Sequence, residues 1–170
     1  MLFRSVFTLA RFSEAFLVLR AQQIGLSVTW IPLVMVVMAL FYTLSAYPAG
    51  WLSDRISRTK LLCVGIGLLV LADLVLAQSS SVITMLLGVA LWGLHMGFSQ
   101  GILASLVADK APGKLKGTAF GIFNLVSGVC MLIASILAGW LWQSIGSDST
   151  FLMGALLAAI ALLLLLIKKQ

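Results

Sequence analysis

Four long stretches of this sequence carry no charged side chain: Arg20 to Asp54, Asp73 to Asp109, Lys116 to Asp148, and Asp148 to Lys168. A helix crossing the hydrocarbon core of a bilayer needs about 20 predominantly apolar residues, each rising about 1.5 Å. The longest runs therefore hold one full span plus a turn. Apolar residues make up 62% of the 170 and charged residues only 9%, against about 25% charged in a typical soluble domain. A water-soluble fold of this length cannot hide so much apolar surface. A bilayer removes the difficulty, because lipid solvates the outward faces.

Hydropathy and helix breakers together predict an all-α integral membrane protein with six transmembrane helices, over Ser5–Gly25, Thr29–Leu52, Lys60–Gln78, Val82–Val107, Gly117–Ser144 and Thr150–Ile167. Short connections separate them, none long enough for a soluble domain. Arg11, Glu14 and Arg20 interrupt the first segment where a cleaved signal peptide would have an uncharged core. With the N-terminus placed in the cytoplasm, one side receives Arg4, Arg55, Arg58, Lys60, Lys110, Lys114, Lys116, Lys168 and Lys169. The opposite connections contain no Lys or Arg. This positive-inside pattern predicts that both termini are cytoplasmic. It also accounts for the net charge of +6 as a topology signal, so no nucleic-acid partner is expected. The helices divide into triplets, residues 1–78 and 82–167, of opposite orientation, the inverted three-plus-three layout of many secondary transporter halves. One half-domain over residues 1–170 is expected. Cys63 and Cys130 stand apart in apolar stretches and read as packing residues. No metal site and no cofactor is expected.

The loop after the second helix reads Gly50-Trp51-Leu52-Ser53-Asp54-Arg55-Ile56-Ser57-Arg58-Thr59-Lys60. It closely resembles the signature loop of the major facilitator superfamily: a Gly, then Asp-Arg, then a further basic cluster. The resemblance implies a conformational latch built from Gly50, Asp54, Arg55, Arg58 and Lys60, governing the switch between inward-open and outward-open states. Gly50 permits close helix approach, Asp54 suits a helix N-terminus or a cation, and the arginines can pair in a bidentate way. The same basic residues also serve as topology determinants. Where the family usually has Gly, this chain has Ser57. A second loop, Asp109-Lys110-Ala111-Pro112-Gly113-Lys114-Leu115-Lys116-Gly117-Thr118, is similar to the acid, Pro and Arg-Gly pattern of the family, with Lys116 in place of Arg. Family members normally have twelve helices in two halves. The ending Lys168-Lys169-Gln170 directly after the last span favours the C-terminal half, helices 7 to 12.

Helix faces supply the remaining candidates. In the fifth helix Gly117, Gly121, Asn124, Gly128, Ser135 and Gly139 share one side. Asn124 reads either as a cavity residue or as a hydrogen bond within a packing face. In the fourth, Gly93, Gly97 and Gly101 form a close-contact stripe with Gln100 near it, and His95 lies on another face. A mid-membrane His can carry a proton in coupled transport, or sit neutral in a hydrogen bond to a neighbouring helix. In the first helix, Arg4, Thr8, Arg11 and Gln22 share a side with Glu14 at its edge. Arg11 and Glu14 can pair on the helix surface, and they read as substrate or proton contacts or as a structural ion pair. Arg20 is expected to snorkel to the outer interface, and Asp73 to lie near that interface where a carboxylate costs less. Gly97-Phe98-Ser99-Gln100-Gly101 matches a hydrolase G-x-S-x-G, but within an apolar helix rather than at a strand-to-helix turn. No enzyme is expected.

The function implied is alternating-access transport of a small solute across a bacterial-type inner membrane, coupled to an ion gradient. It requires a missing six-helix half or a homodimer partner. The competing reading is a membrane interaction or assembly subunit, or a truncated fragment, that transports nothing alone. No motif identifies the substrate.

Overall fold

The structure, a computed structural model, describes residues 10–167 and every side chain among them except that of Lys110. Six α-helices occur in this range: α1 Ala15–Gln23, α2 Ile31–Ser53, α3 Arg58–Ala77, α4 Val82–Lys110, α5 Lys116–Ser144 and α6 Ser147–Ile167. Short 3-10 turns at Val28–Trp30 and Gly113–Leu115 lead into α2 and α5. No strand occurs among the described residues. Five segments are long and apolar enough to cross a membrane: Val28–Ser53, Arg58–Ala77, Val82–Asp109, Gly113–Ser144 and Ser147–Ile167.

Local chemistry sets the ends of these helices. After α1, Gly25 adopts φ +97, and two bonds close a Schellman turn: Gly25 N–H to Gln22 O and Leu26 N–H to Ala21 O, both 3.0 Å. Pro32 then sits in the first turn of α2, where its missing N–H costs nothing. Ser81 and Thr84 cap α4 reciprocally, satisfying donors that lipid cannot. Gly146, at φ +133, reverses the chain so tightly that α6 begins at Ser147, three residues before the predicted Thr150.

α4 is the centre of the packing, with α2 on one side and α3 on the other. α3 packs in turn on α6, and α5 meets α6 and α4 more lightly. The α2–α4 crossing depends on Gly93 and Gly97. A Cβ at Gly93 would run into the backbone oxygen of Met38, and one at Gly97 into the hydroxyl of Ser45. Ser45 turns that hydroxyl back onto Phe41 O at 2.7 Å, leaving its own helix satisfied. An aromatic cluster fills the middle of the bundle, with Phe12 at 5.3 Å from Trp92, 5.4 Å from Phe16 and 5.6 Å from Phe151, ring centre to ring centre. The outward faces are the reverse of a soluble protein. Val36, Leu40, Leu44 and Tyr47 on α2, and Ile122, Leu125, Leu132, Ile136 and Trp140 on α5, are all exposed. Only lipid or another apolar helix can solvate such surfaces.

Three expectations are corrected. The first helix is not continuous over Ser5–Gly25, since Arg11–Ser13 are non-helical and α1 starts at Ala15. Arg20 does not snorkel outward: it is buried, 6% exposed, and points into the bundle. Asp73 lies one turn from the end of α3 yet gains no relief from water, being 0% exposed. Arg4, Thr8, Lys168 and Lys169 lie outside the described residues.

Candidate functional site

The non-helical stretch Arg11–Ser13 before α1 borders a polar concavity of the bundle. A chain that leaves helical geometry inside a membrane must find other partners for its backbone or line a cavity. Both happen here. Ser13 N–H donates to the hydroxyl of Ser135 on α5 at 3.1 Å, and Phe16 N–H and Leu17 N–H return to Ser13 O and Glu14 O at 3.1 and 3.0 Å. This stretch then borders a cavity of about 270 Å³ lined by Arg11, Phe12, Ser13, Glu14, Trp92 and Met131. The half-buried Arg11 and Glu14 interact electrostatically. Trp92 walls the cavity from α4, and its ring packs edge-on to His95 at 5.7 Å. His95 is fully enclosed, with Nδ1 3.5 Å from the Ser99 hydroxyl and within electrostatic reach of Arg11. The structure thus brings Arg11 and Glu14 into one cavity, with His95 directly behind its wall. Gln100 is half-buried on α4 and Asn124 exposed on α5, neither in that lining. An arrangement with both charges and an aromatic wall can bind a polar small molecule and orient it.

The connection between α2 and α3 forms the second feature. Ser57 takes φ −57, so the turn there needs no glycine. Arg55 lays its guanidinium over the Trp51 ring at 3.8 Å, a cation–π contact that holds the loop against the helix end. Arg58, at the start of α3, is ion-paired with Asp109 near the end of α4. The two loops that resemble the superfamily are therefore tied to each other directly. Asp54 and Lys60 are exposed, and no ion pair of either occurs among the described residues. A Cβ added at Gly50 would meet nothing within 4 Å. It opens instead on a groove of about 190 Å³ between α2 and α4, lined also by Tyr42, Ala46, Ser53, Gly97 and Gly101. Gly101, Gly117, Gly121 and Gly128 likewise have open space where a Cβ would stand, and Gly139 has Phe16 at 3.9 Å.

Two polar groups stand out that the sequence reading placed elsewhere. At the end of the bundle away from the α2–α3 loop, Arg20 ties three helices together. Its Nε donates to Leu76 O at 3.2 Å, and its Nη2 to Ala77 O at 3.1 Å and Ser79 O at 2.9 Å. Its Nη1 donates to the Ser147 hydroxyl at 2.6 Å and pairs with Asp148 at 2.9 Å. The C-terminal carbonyls of α3 and the first turn of α6 are thus both satisfied by one guanidinium. Asp73, one turn earlier on α3, is the second, and both its oxygens lack a hydrogen-bond partner. The serines Ser79 and Ser147, polar residues at adjoining helix ends, were the available signal for the Arg20 cluster.

Ser99 is fully buried inside the uninterrupted α4, which leaves the Gly97–Gly101 motif no hydrolase geometry. Comparison with known proteins points the same way. The chain is 35% identical to the uncharacterized MFS-type transporter MJ1317 of Methanocaldococcus jannaschii, over 97% of this chain and 43% of that protein. It is 30% identical to the inner membrane transport protein YajR of Escherichia coli, over 62% of this chain and 23% of YajR. A third relative, myo-inositol transporter 2 of Schizosaccharomyces pombe, is 30% identical over 44% of the chain and 13% of its own length. The chain spans less than half the length of each of these curated relatives. All carry the names of transporters, and none the name of an enzyme. The family model of the Major Facilitator Superfamily matches residues 4–170, almost the whole sequence, and the chain belongs to that superfamily of membrane transporters.

Proposed function

We propose that the chain is one six-helix half of a secondary transporter, moving a small solute by alternating access and drawing on an ion gradient. The observation that carries this reading is the non-helical stretch Arg11–Ser13 ahead of α1, which brings two opposite charges to a cavity in an apolar bundle. Charges at that depth are costly and mark substrate or ion paths. Transporter sites are built where helices are discontinuous, close to the interface between repeats. Arg11 and Glu14 contact the solute or the coupling ion in this reading, with His95 and Gln100 on α4 and Asn124 on α5 contributing to the pathway. Gly50, Asp54, Arg55, Arg58 and Lys60 form the latch.

The second half is supplied by the same polypeptide or by another copy of this chain. The 43% share of MJ1317 supports this, as do the apolar faces of α2 and α5 that the bundle leaves uncovered. In this reading residues 1–170 form one half-domain of inverted triplets, with both termini in the cytoplasm of a bacterial-type cell. The glycine face of α5, open at Gly117, Gly121 and Gly128, packs against the partner half.

Proteoliposomes test the proposal. With the two halves joined or the chain dimeric, uptake from a panel of radiolabelled sugars, amino acids and organic cations is expected, together with pH or sodium dependence. Glu14→Gln and Arg11→Gln should each lower that uptake at least tenfold while leaving insertion unchanged. Cross-linking and size measurement in detergent provide the other arm. A strictly monomeric chain that takes up nothing would instead support a membrane interaction subunit.

A further inference from the structure

The cavity beside Arg11–Ser13 has a composition that selects among solutes. Its lining carries one cation, Arg11, and one anion, Glu14, so its formal charges sum to zero. The two belong to one short segment of backbone and interact electrostatically. Ser13, between them in sequence, gives its N–H to Ser135 at 3.1 Å, and its hydroxyl accepts the N–H of Ala15 at 3.3 Å. The two charges are therefore the principal polar handles. The rest of the lining is aromatic or apolar: Phe12, Trp92 and Met131.

That wall is rigid on one side and adaptable on the other. Phe12 and Trp92 are 4% and 1% exposed, with ring centres 5.3 Å apart. Phe16 and Phe151 wedge Phe12 further, and His95 backs Trp92, so neither ring can turn aside. Met131 is instead 37% exposed, and its flexible thioether chain moulds to whatever lies against it. The volume of about 270 Å³ falls just under the range of ordinary small-molecule pockets, so the solute is small.

Charge decides the class. A solute with a single charge pairs with Arg11 or Glu14 and draws it away from the other, which leaves an uncompensated charge in an apolar bundle. A neutral polyol leaves the pair in place but lays its hydroxyls against Phe12, Trp92 and Met131. A zwitterion meets both charges and keeps the sum at zero. Its carboxylate suits the bidentate fork of a guanidinium, and its ammonium suits a carboxylate, so its direction is fixed as well.

We propose that this cavity takes a zwitterionic α-amino acid with an apolar side chain. The solute carboxylate lies toward Arg11, the ammonium toward Glu14, and the side chain against Phe12, Trp92 and Met131. Met131 makes the site tolerant between leucine and methionine, while a third charge excludes lysine and glutamate. This deepens the transport reading and rests on it for carriage across the membrane, though binding can be measured without carriage.

Binding of radiolabelled leucine to the protein of the uptake experiment, held in lipid nanodiscs, tests the assignment. Isopentylamine, which is leucine without its carboxylate, and isocaproate, which is leucine without its amine, should each compete at least about tenfold more weakly. Glycine keeps both charges but has no side chain, and should also bind at least about tenfold more weakly than leucine. Arg11→Gln should bring isopentylamine level with leucine, and Glu14→Gln should do the same for isocaproate. Residues that merely shape the bundle would weaken all three ligands alike. Isopentylamine, isocaproate or glucose binding to the unaltered protein as tightly as leucine overturns the proposal, as does an absence of leucine binding. If leucine binds but is not taken up, the transport reading falls and the site stands. Uptake of a sugar or an organic cation that leucine does not inhibit leaves transport standing and sinks the amino-acid assignment.

Discussion

Arg20 illustrates how much one side chain can hold in a membrane. Its guanidinium satisfies carbonyls at the end of α3 and, through Ser147 and Asp148, the start of α6. Removing it leaves these groups unpaired in a buried place. Arg20→Met should therefore cost about 3–5 kcal/mol in a denaturant titration in detergent, the range for breaking a buried ionic network from one side. Lysine should not rescue it, because one ammonium cannot reproduce the fork of donors. Asp148 is the other extreme of the same pair, with 64% of its side chain exposed. Asp148→Asn should cost no more than about 1 kcal/mol, as exposed ion pairs do. A large loss in Asp148→Asn and a small one in Arg20→Met would reverse this assignment. The sequence could not show the direction of Arg20, since a helical wheel describes one helix and the partners belong to two others. The enclosure of Asp73 was missed for the same reason: its depth along α3 is legible, but the notch that Gly154 leaves for it on α6 is not.

The helices as elements were far more legible. Charge-free runs and turn residues locate the five long spans from α2 to α6 to within a few residues, because the length of a bilayer crossing and the cost of charge within it are fixed by the solvent. The non-helical backbone of Arg11–Ser13 was not, for it contains neither Gly nor Pro and is held by Ser135 from a distant helix. The glycine stripe of α4 was legible as a face, while its division was not. Gly93 and Gly97 meet α2, and Gly101 borders an open groove. Gly93→Ala should cost about 1–3 kcal/mol through overpacking, since its obstacle is backbone. Gly101→Ala should stay within about 0.5 kcal/mol, and thermal unfolding of the two variants would separate them. The Arg58–Asp109 tie gives a third test at this scale. Asp109→Arg should weaken transport in the full protein, and adding Arg58→Asp should restore it if the ion pair is what the latch requires. Failure of the double variant to recover would mean that each residue acts through some other contact.

Taken as a whole, the bundle is a slab of α2, α4, α3 and α6 with α5 more loosely attached. Low contact density predicts lower local stability. In the isolated chain, amides of α5 should exchange faster than those of α3 and α4, and a second half covering α5 should slow them; equal protection without a partner would count against that arrangement. Orientation is testable in intact cells through single cysteines in a background without Cys63 and Cys130. Ser80→Cys should react with a membrane-impermeant maleimide, and Ile56→Cys only after permeabilisation. The Arg20 cluster, finally, has a temporal side. Its Ser147 contact spans 127 residues of sequence, so when α1 emerges from the ribosome the receiving serine and aspartate do not yet exist. Until the helix that carries Ser147 is made, the guanidinium has the acceptors of Leu76, Ala77 and Ser79 to hold it but not those of Ser147 and Asp148. The two ends of this bundle are therefore fastened to each other late, and a ribosome halted before residue 147 should leave Arg20 more accessible to guanidine-reactive glyoxals and the chain more open to membrane proteases.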